Sequence, residues 1–211
     1  MKKINTFWNW FQDNNQSIKN ILSETPRNQK HLFFWLNKNL HYYCKEIDFI
    51  IAFPKKPTDK ATLIITANGN PDYFKQVVDL IDNAPRLRTW IFTAFIQPME
   101  DIERMIDKLD NPYVFRDITI KASDIMFLPL NCDESCNKFD IMVYLKNYNI
   151  HCNTKTWKEA VFIIMQDIFG EKYVYEHINF VQLARMPEED DDHLIHLHDF
   201  QTFLDILNSE D

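Results

Sequence analysis

The arrangement of apolar and polar positions is most informative over residues 61–98, ATLIITANGNPDYFKQVVDLIDNAPRLRTWIFTAFIQP. Thr62, Leu63, Ile64, Ile65 and Thr66 form a β-branched and aliphatic run, the pattern of an internal strand covered on both faces. Asn68-Gly69-Asn70-Pro71 stops it. Gly69 accepts positive φ, Asn70 is a capping residue, and Pro71 stands at the first helical position, where its missing N–H costs nothing. Phe74, Val77, Val78 and Ile81 then repeat at i, i+3, i+4 and i+7, which predicts a helix with one apolar face, ended by Pro85. Over residues 87–96, Trp90, Phe92, Ala94 and Ile96 alternate with Ile91, Thr93 and Phe95, a second strand of central type. Strand, helix and strand joined by short loops predict a right-handed crossover between parallel strands.

The remaining elements follow from the same periodicities. Ile4, Phe7, Phe11, Ile18 and Leu22 fall on one helical stripe, flanked by Trp8 and Trp10, and predict one or two amphipathic helices. Packing within its own domain is the expected role of this Trp-rich segment, with docking of a partner as the alternative. After Thr25-Pro26, the positions Leu32, Trp35, Leu36, Leu40 and Tyr43 define a second helix ending near Cys44. Residues 46–53 alternate and are expected to form an antiparallel hairpin with the strand beginning at Ala61. Beyond Pro98, Ile102, Met105, Ile106 and Leu109 mark a helix closed by Asn111-Pro112, with strands expected at 115–121 and 125–130. Phe139, Ile141, Val143 and Leu145 give a strand buried on one side. Trp157, Ala160, Val161, Ile164, Met165 and Ile168 give the most hydrophobic helix, which Gly170 ends as a C′ residue. Residues 178–185 form a final strand candidate, and Phe200, Phe203, Leu204 and Leu207 define a closing helix.

These elements predict an α+β or mixed α/β class: one mixed sheet containing a β-α-β crossover, flanked by amphipathic helices. No Pro/Gly/Ser-rich linker divides the 211 residues, so a single domain over 1–211 is expected, with an N-terminal helical segment at about 1–43. No apolar run reaches the ~20 residues of a membrane helix, and Trp, Asn, Gln and Asp interrupt the N-terminal stretch where a signal peptide needs an apolar core; a cytoplasmic location is the expectation. The net charge of −8 argues against a phosphate-backbone partner. With 2 glycines, Gly69 and Gly170, the chain lacks the phosphate-cradling loops and the serine nucleophile elbow, which need several glycines at fixed spacing. No cofactor is expected.

Three groups of residues have the composition of a site. His193, His196 and His198 lie in an acidic stretch, EEDDDHLIHLHD, and imidazole with carboxylate is a common set for divalent metals. A helix would bring His193 and His196 to one face and a strand His196 and His198, so at most two of the three converge locally. Cys132-x3-Cys136 with His151-Cys152 offers three thiolates and an imidazole, but at a spacing unlike a zinc ribbon or finger; four cysteines without a secretion signal are expected as reduced thiols. Topology supplies the third group. Ligands in sheets with parallel strands bind beyond the strands' carboxyl ends, and that edge carries Thr66, Asn68, Asn70, Asp72 and Gln97, where turn-forming and capping roles compete with ligand binding.

The segments FWNWF (7–11), LIITANGN (63–70) and NAPRLRTWIFTAFIQP (83–98) resemble an uncharacterised bacterial protein family, a domain of unknown function, over most of the chain. That resemblance implies no activity. The composition, acidic, Gly-poor and rich in Trp and Phe, points to a cytoplasmic protein–protein interaction or regulatory domain, adaptor or immunity-like, with a protein partner and neither nucleic acid nor membrane. The alternative is a metal-dependent hydrolase using the C-terminal histidines.

Overall fold

In the computed structural model, which describes residues 1–56, 58–133, 138–149, 154–188 and 191–209, the crossover read from the sequence is formed by β2 (Ala61–Thr66), α3 (Phe74–Asp82) and β3 (Trp90–Ala94). β2 and β3 are parallel, with Ala61 opposite Trp90 and Ile65 opposite Ala94. β1 (Asp48–Ala52) completes the expected antiparallel hairpin with β2, so the sheet order is β1-β2-β3. Asn70 caps a short 3₁₀ turn, Pro71–Tyr73, through a 3.1 Å bond from the Asp72 N–H, and α3 follows.

The chain divides into two compact units, Met1–Ile96 and Gln97–Asp211. In the first, α1 (Lys2–Lys19) and α2 (Pro26–Tyr43) pack on each other, and α1 drives Phe7, Trp8 and Phe11 into the core. Their rings meet Trp90 and Phe92 of β3 edge to face, at 5.0 Å for Phe11–Trp90 and 4.7 Å for Trp8–Phe92. Each buried aromatic of this kind stabilises the unit by roughly 1.5–3 kcal/mol. The Trp8 indole N–H donates to the Leu80 carbonyl at 2.9 Å, tying α1 to the end of α3. The Trp-rich helix thus packs within its own unit.

Three local expectations shift. β3 is an edge strand of its sheet, with Ile91 exposed; its aromatic content reflects cover by α1 on one face rather than strands on both sides. α3 turns Leu80 inward with Val77 and leaves Val78 outside, a rotation set by the 3₁₀ entry. A 3₁₀ turn after α1 buries Ile21 and exposes Leu22.

The second unit holds α4 (Glu103–Ile106), β4 (Tyr113–Phe115), β5 (Ile118–Ile120), β6 (Met126–Asp133), β7 (Lys138–Leu145), α5 (Thr154–Phe169), α6 (Glu171–His177), β8 (Ile178–Arg185), β9 (Ile195–His196) and α7 (Phe200–Ser209). Its sheet has order β8-β7-β6-β9, with β7 and β8 parallel and the other pairs antiparallel. Phe139, Ile141, Val143 and Leu145 alternate into the core beneath α5, as the period-two pattern requires. The strand expected at 115–121 is instead a hairpin, β4 with β5, because Arg116 takes φ 55° and turns the chain. Gly170, at φ 85°, closes α5 by donating its N–H to the Gln166 carbonyl and releases the chain into α6. The class is α+β; the strands expected in one mixed sheet are distributed over three.

Candidate functional site

α2 has two apolar sides. Thr25 caps it by accepting the Asn28 N–H at 3.3 Å, and Pro26 opens its first turn, which fixes the helical phase. In that phase Leu36 and Leu40 are fully enclosed, with Leu32 and Tyr43 beside them. The opposite stripe, spaced i, i+3, i+4, i+8, i+11 and i+12, carries Lys30, Phe33, Phe34, Lys38, His41 and Tyr42, and lines a shallow groove of ≈ 880 Å³. Phe34 is 58% exposed, Tyr42 53% and Phe33 39%. Large apolar side chains grouped in this way on a surface mark interaction sites more often than isolated ones do.

The electrostatics of the stripe are one-sided. The Lys38 ammonium stands 4.6 Å from the Trp35 ring centroid and 5.7 Å from that of Phe34, and Lys3 stands 5.2 Å from that of Tyr42. Among the described residues neither Lys30 nor Lys38 makes a salt bridge, while His41 Nε2 stands 3.9 Å from the Asp48 carboxylate. α2 contains no Asp or Glu along its whole length. The signal for this site was present in the sequence as Phe34 and Tyr42 lying away from Leu36 and Leu40, with Phe33 at the edge of the buried side, its ring stacked on Phe49 at 6.4 Å.

The polar edge beyond β2 is occupied in holding its own turn. Asn68 takes φ 52° and Gly69 φ 74°; the Asn68 N–H donates to Thr66 Oγ1 at 2.9 Å, and its amide reaches Asp48 at 3.4 Å. Asn70 and Asp72 form the cap described above, while Gln97 is the first residue of the second unit. Phe95 at the end of β3 holds φ 65°, rare for a bulky residue. It is kept there by its N–H bond to the Ile65 carbonyl at 2.8 Å and by its ring against Phe74 at 4.8 Å.

Of the three histidines, two come together. β9 pairs His196 opposite Met126, the next turn is 3₁₀, and the rings of His196 and His198 stack with centroids 5.0 Å apart. The His198 side chain is 7% exposed. Burial, assisted by His196, holds its imidazole below the usual range against the opposing pull of Asp199 and Asp110. His193 instead faces water and pairs with Asp191 at 2.9 Å. Among the described residues no group of three or more His, Cys, Asp or Glu side chains is placed to hold a metal ion. Cys132 lies in β6; Cys136, His151 and Cys152 lie outside the described residues.

The second unit also holds buried polar pairs that local sequence reading missed, because their members are far apart in the chain. Asp110 accepts the Ser123 N–H at 3.1 Å and has Lys121 at 3.7 Å. Burial pushes its carboxyl up, but hydrogen bonding from Ser123 and the Lys121 charge outweigh this and leave it below the ordinary value. The Ser123 hydroxyl faces the same carboxylate without completing a well-formed bond. Tyr113 donates to Asp167 at 3.0 Å; burial raises both groups, with the Asp167 charge adding to the rise at Tyr113 and the bond from Tyr113 moderating it at Asp167. Asp110 and Tyr113 border a cavity of ≈ 380 Å³ with Met99, Met105 and Pro112.

Comparison with protein-family models, curated proteins and solved structures gives no match. No helix among the described residues is long and apolar enough to cross a membrane.

Proposed function

We propose that this protein is a protein-interaction domain of adaptor or regulatory type, and that it docks its partner through the outward face of α2. One observation carries the reading: Phe34 and Tyr42 stand more than half exposed on a helix whose Leu36 is 1% exposed. The helix has a complete core-facing side without them, so their burial on folding does not account for their presence. Aromatic side chains with cationic neighbours supply large contact area at low entropic cost and are the usual anchors of protein interfaces.

Affinity isolation with the wild-type chain and with a Phe33→Ser, Phe34→Ser, Tyr42→Ser variant tests this. A stoichiometric partner retained by the wild type, lost by the triple variant and kept by Ile163→Ser, an exposed apolar position on α5, is the expected result. Equal retention by wild type and triple variant, or isolation of the bare chain in every case, overturns it.

A further inference from the structure

We infer that the occupant of the α2 face is an acidic, amphipathic helical segment of a partner protein; the inference rests on the docking role proposed for that face. Charge supplies the argument. The chain carries a net charge of −8, yet residues 1–43 hold Lys2, Lys3, Lys19, Arg27, Lys30 and Lys38 against only Asp13 and Glu24. The excess of negative charge therefore lies elsewhere, and the helical segment is locally basic. On the exposed stripe the ammonium groups of Lys3 and Lys38 stand over aromatic rings, and Lys30 and Lys38 make no salt bridge among the described residues. A carboxylate arriving there gains an ion pair without breaking one.

Geometry narrows the shape of the occupant. From Lys30 to Tyr42 the stripe runs about 18 Å at ~1.5 Å per residue, enough for three turns of a second helix. Phe33 and Phe34 stand between the two lysines, which are about 12 Å apart along the axis by the same rise. A partner helix lying along the groove would set aliphatic or aromatic residues at i, i+3 or i+4 and i+7 on the three rings, flanked by carboxylates seven or eight positions apart that reach Lys30 and Lys38. The exposed rings favour such a segment over a polyanion. A phosphate backbone or a lipid headgroup has no apolar side chain to bury against Phe33, Phe34 and Tyr42, whereas an amphipathic helix satisfies the rings and the lysines together.

Fluorescence anisotropy with the full chain and two labelled 16-residue helical peptides tests the inference. The peptides have identical Leu anchors and differ only in Glu or Lys at the flanking positions; a DNA duplex and vesicles containing phosphatidylserine serve as further ligands. The expected result is preferential binding of the Glu peptide by tenfold or more. That binding should weaken as salt rises from about 0.1 to 1 M, where the screening length falls from ~10 to ~3 Å. Lys30→Glu, Lys38→Glu should reverse the preference toward the Lys peptide. Equal binding of both peptides, lost in Phe33→Ser, Phe34→Ser, overturns the charge assignment while leaving the docking role standing. Binding of the Glu peptide that survives the Phe substitutions overturns the α2 face itself. Preference for the duplex or the vesicles, or no binding of either peptide, overturns the inference.

Discussion

Leu36→Ala and Phe34→Ala sit two positions apart on α2 and should have very different costs. Leu36 is 1% exposed in a core shared with Leu40 and the aromatics of α1, so its truncation should lose about 2–5 kcal/mol, the transfer term plus the cavity left behind. Phe34 is 58% exposed, so folding removes less than half of its ~200 Å² from water. At ~25 cal/mol per Å² the upper limit is about 2 kcal/mol, of which alanine retains part. The better helix propensity of alanine returns roughly 0.5 kcal/mol, leaving a loss of about 1 kcal/mol or less. Urea unfolding followed by tryptophan fluorescence reads both values, since Trp8, Trp10, Trp35 and Trp90 all belong to the Met1–Ile96 unit. A Phe34→Ala variant destabilised as much as Leu36→Ala would refute the reasoning, because Phe34 would then be a packing residue and the face no docking surface.

Other outcomes follow from single contacts. Trp8→Phe keeps the ring in the core but strands the Leu80 carbonyl, and should cost about 1–3 kcal/mol by thermal unfolding; a neutral result would mean that water replaces the bond. Asn68→Gly should be close to neutral and Asn68→Val destabilising by about 1–2 kcal/mol, since only the latter resists φ 52°; equal stabilities would refute the turn assignment. His198 is held below its ordinary 6.5, so just below that pH the unfolded chain binds more protons than the folded one. Its contribution is complete above about pH 6.5 and is lost as pH falls through the folded value; His198→Gln should flatten the decline in stability measured by urea unfolding between pH 7 and 5. Asp167 acts with the opposite sign: its raised carboxyl favours the folded state at low pH and loses that advantage as pH rises, so Asp167→Asn should gain most relative to wild type at neutral pH.

Where one local cause decided an element, the sequence was readable. The β2 run, the Asn70-Pro71 entry and the α3 repeat each point to the same crossover, and the structure contains it in parallel register. The alternation from Phe139 to Leu145 likewise gave a strand with one buried face. Legibility failed where the outcome depends on a partner far along the chain. β3 reads as central because α1, some 80 residues earlier in sequence, supplies the aromatic cover that a neighbouring strand would otherwise provide. The Arg116 turn has no glycine to announce it, and the Tyr113–Asp167 pair joins residues 54 positions apart. The α2 face was visible in principle. Counting toward Leu36 and Leu40 identifies the buried side, and the same count leaves Phe34 and Tyr42 with no place in the core and Phe33 at its edge, the observation on which the functional reading turns.

The central claim is tested most directly by placing a photo-crosslinking phenylalanine analogue at position 34 in the intact chain, irradiating cells that express it, and comparing the adducts with those from the analogue at Phe180, an exposed aromatic of β8. The account predicts one discrete protein adduct from position 34, absent from position 180 and lost when Lys30 and Lys38 are changed to Glu. No adduct at position 34, or the same adducts from both positions, would contradict it.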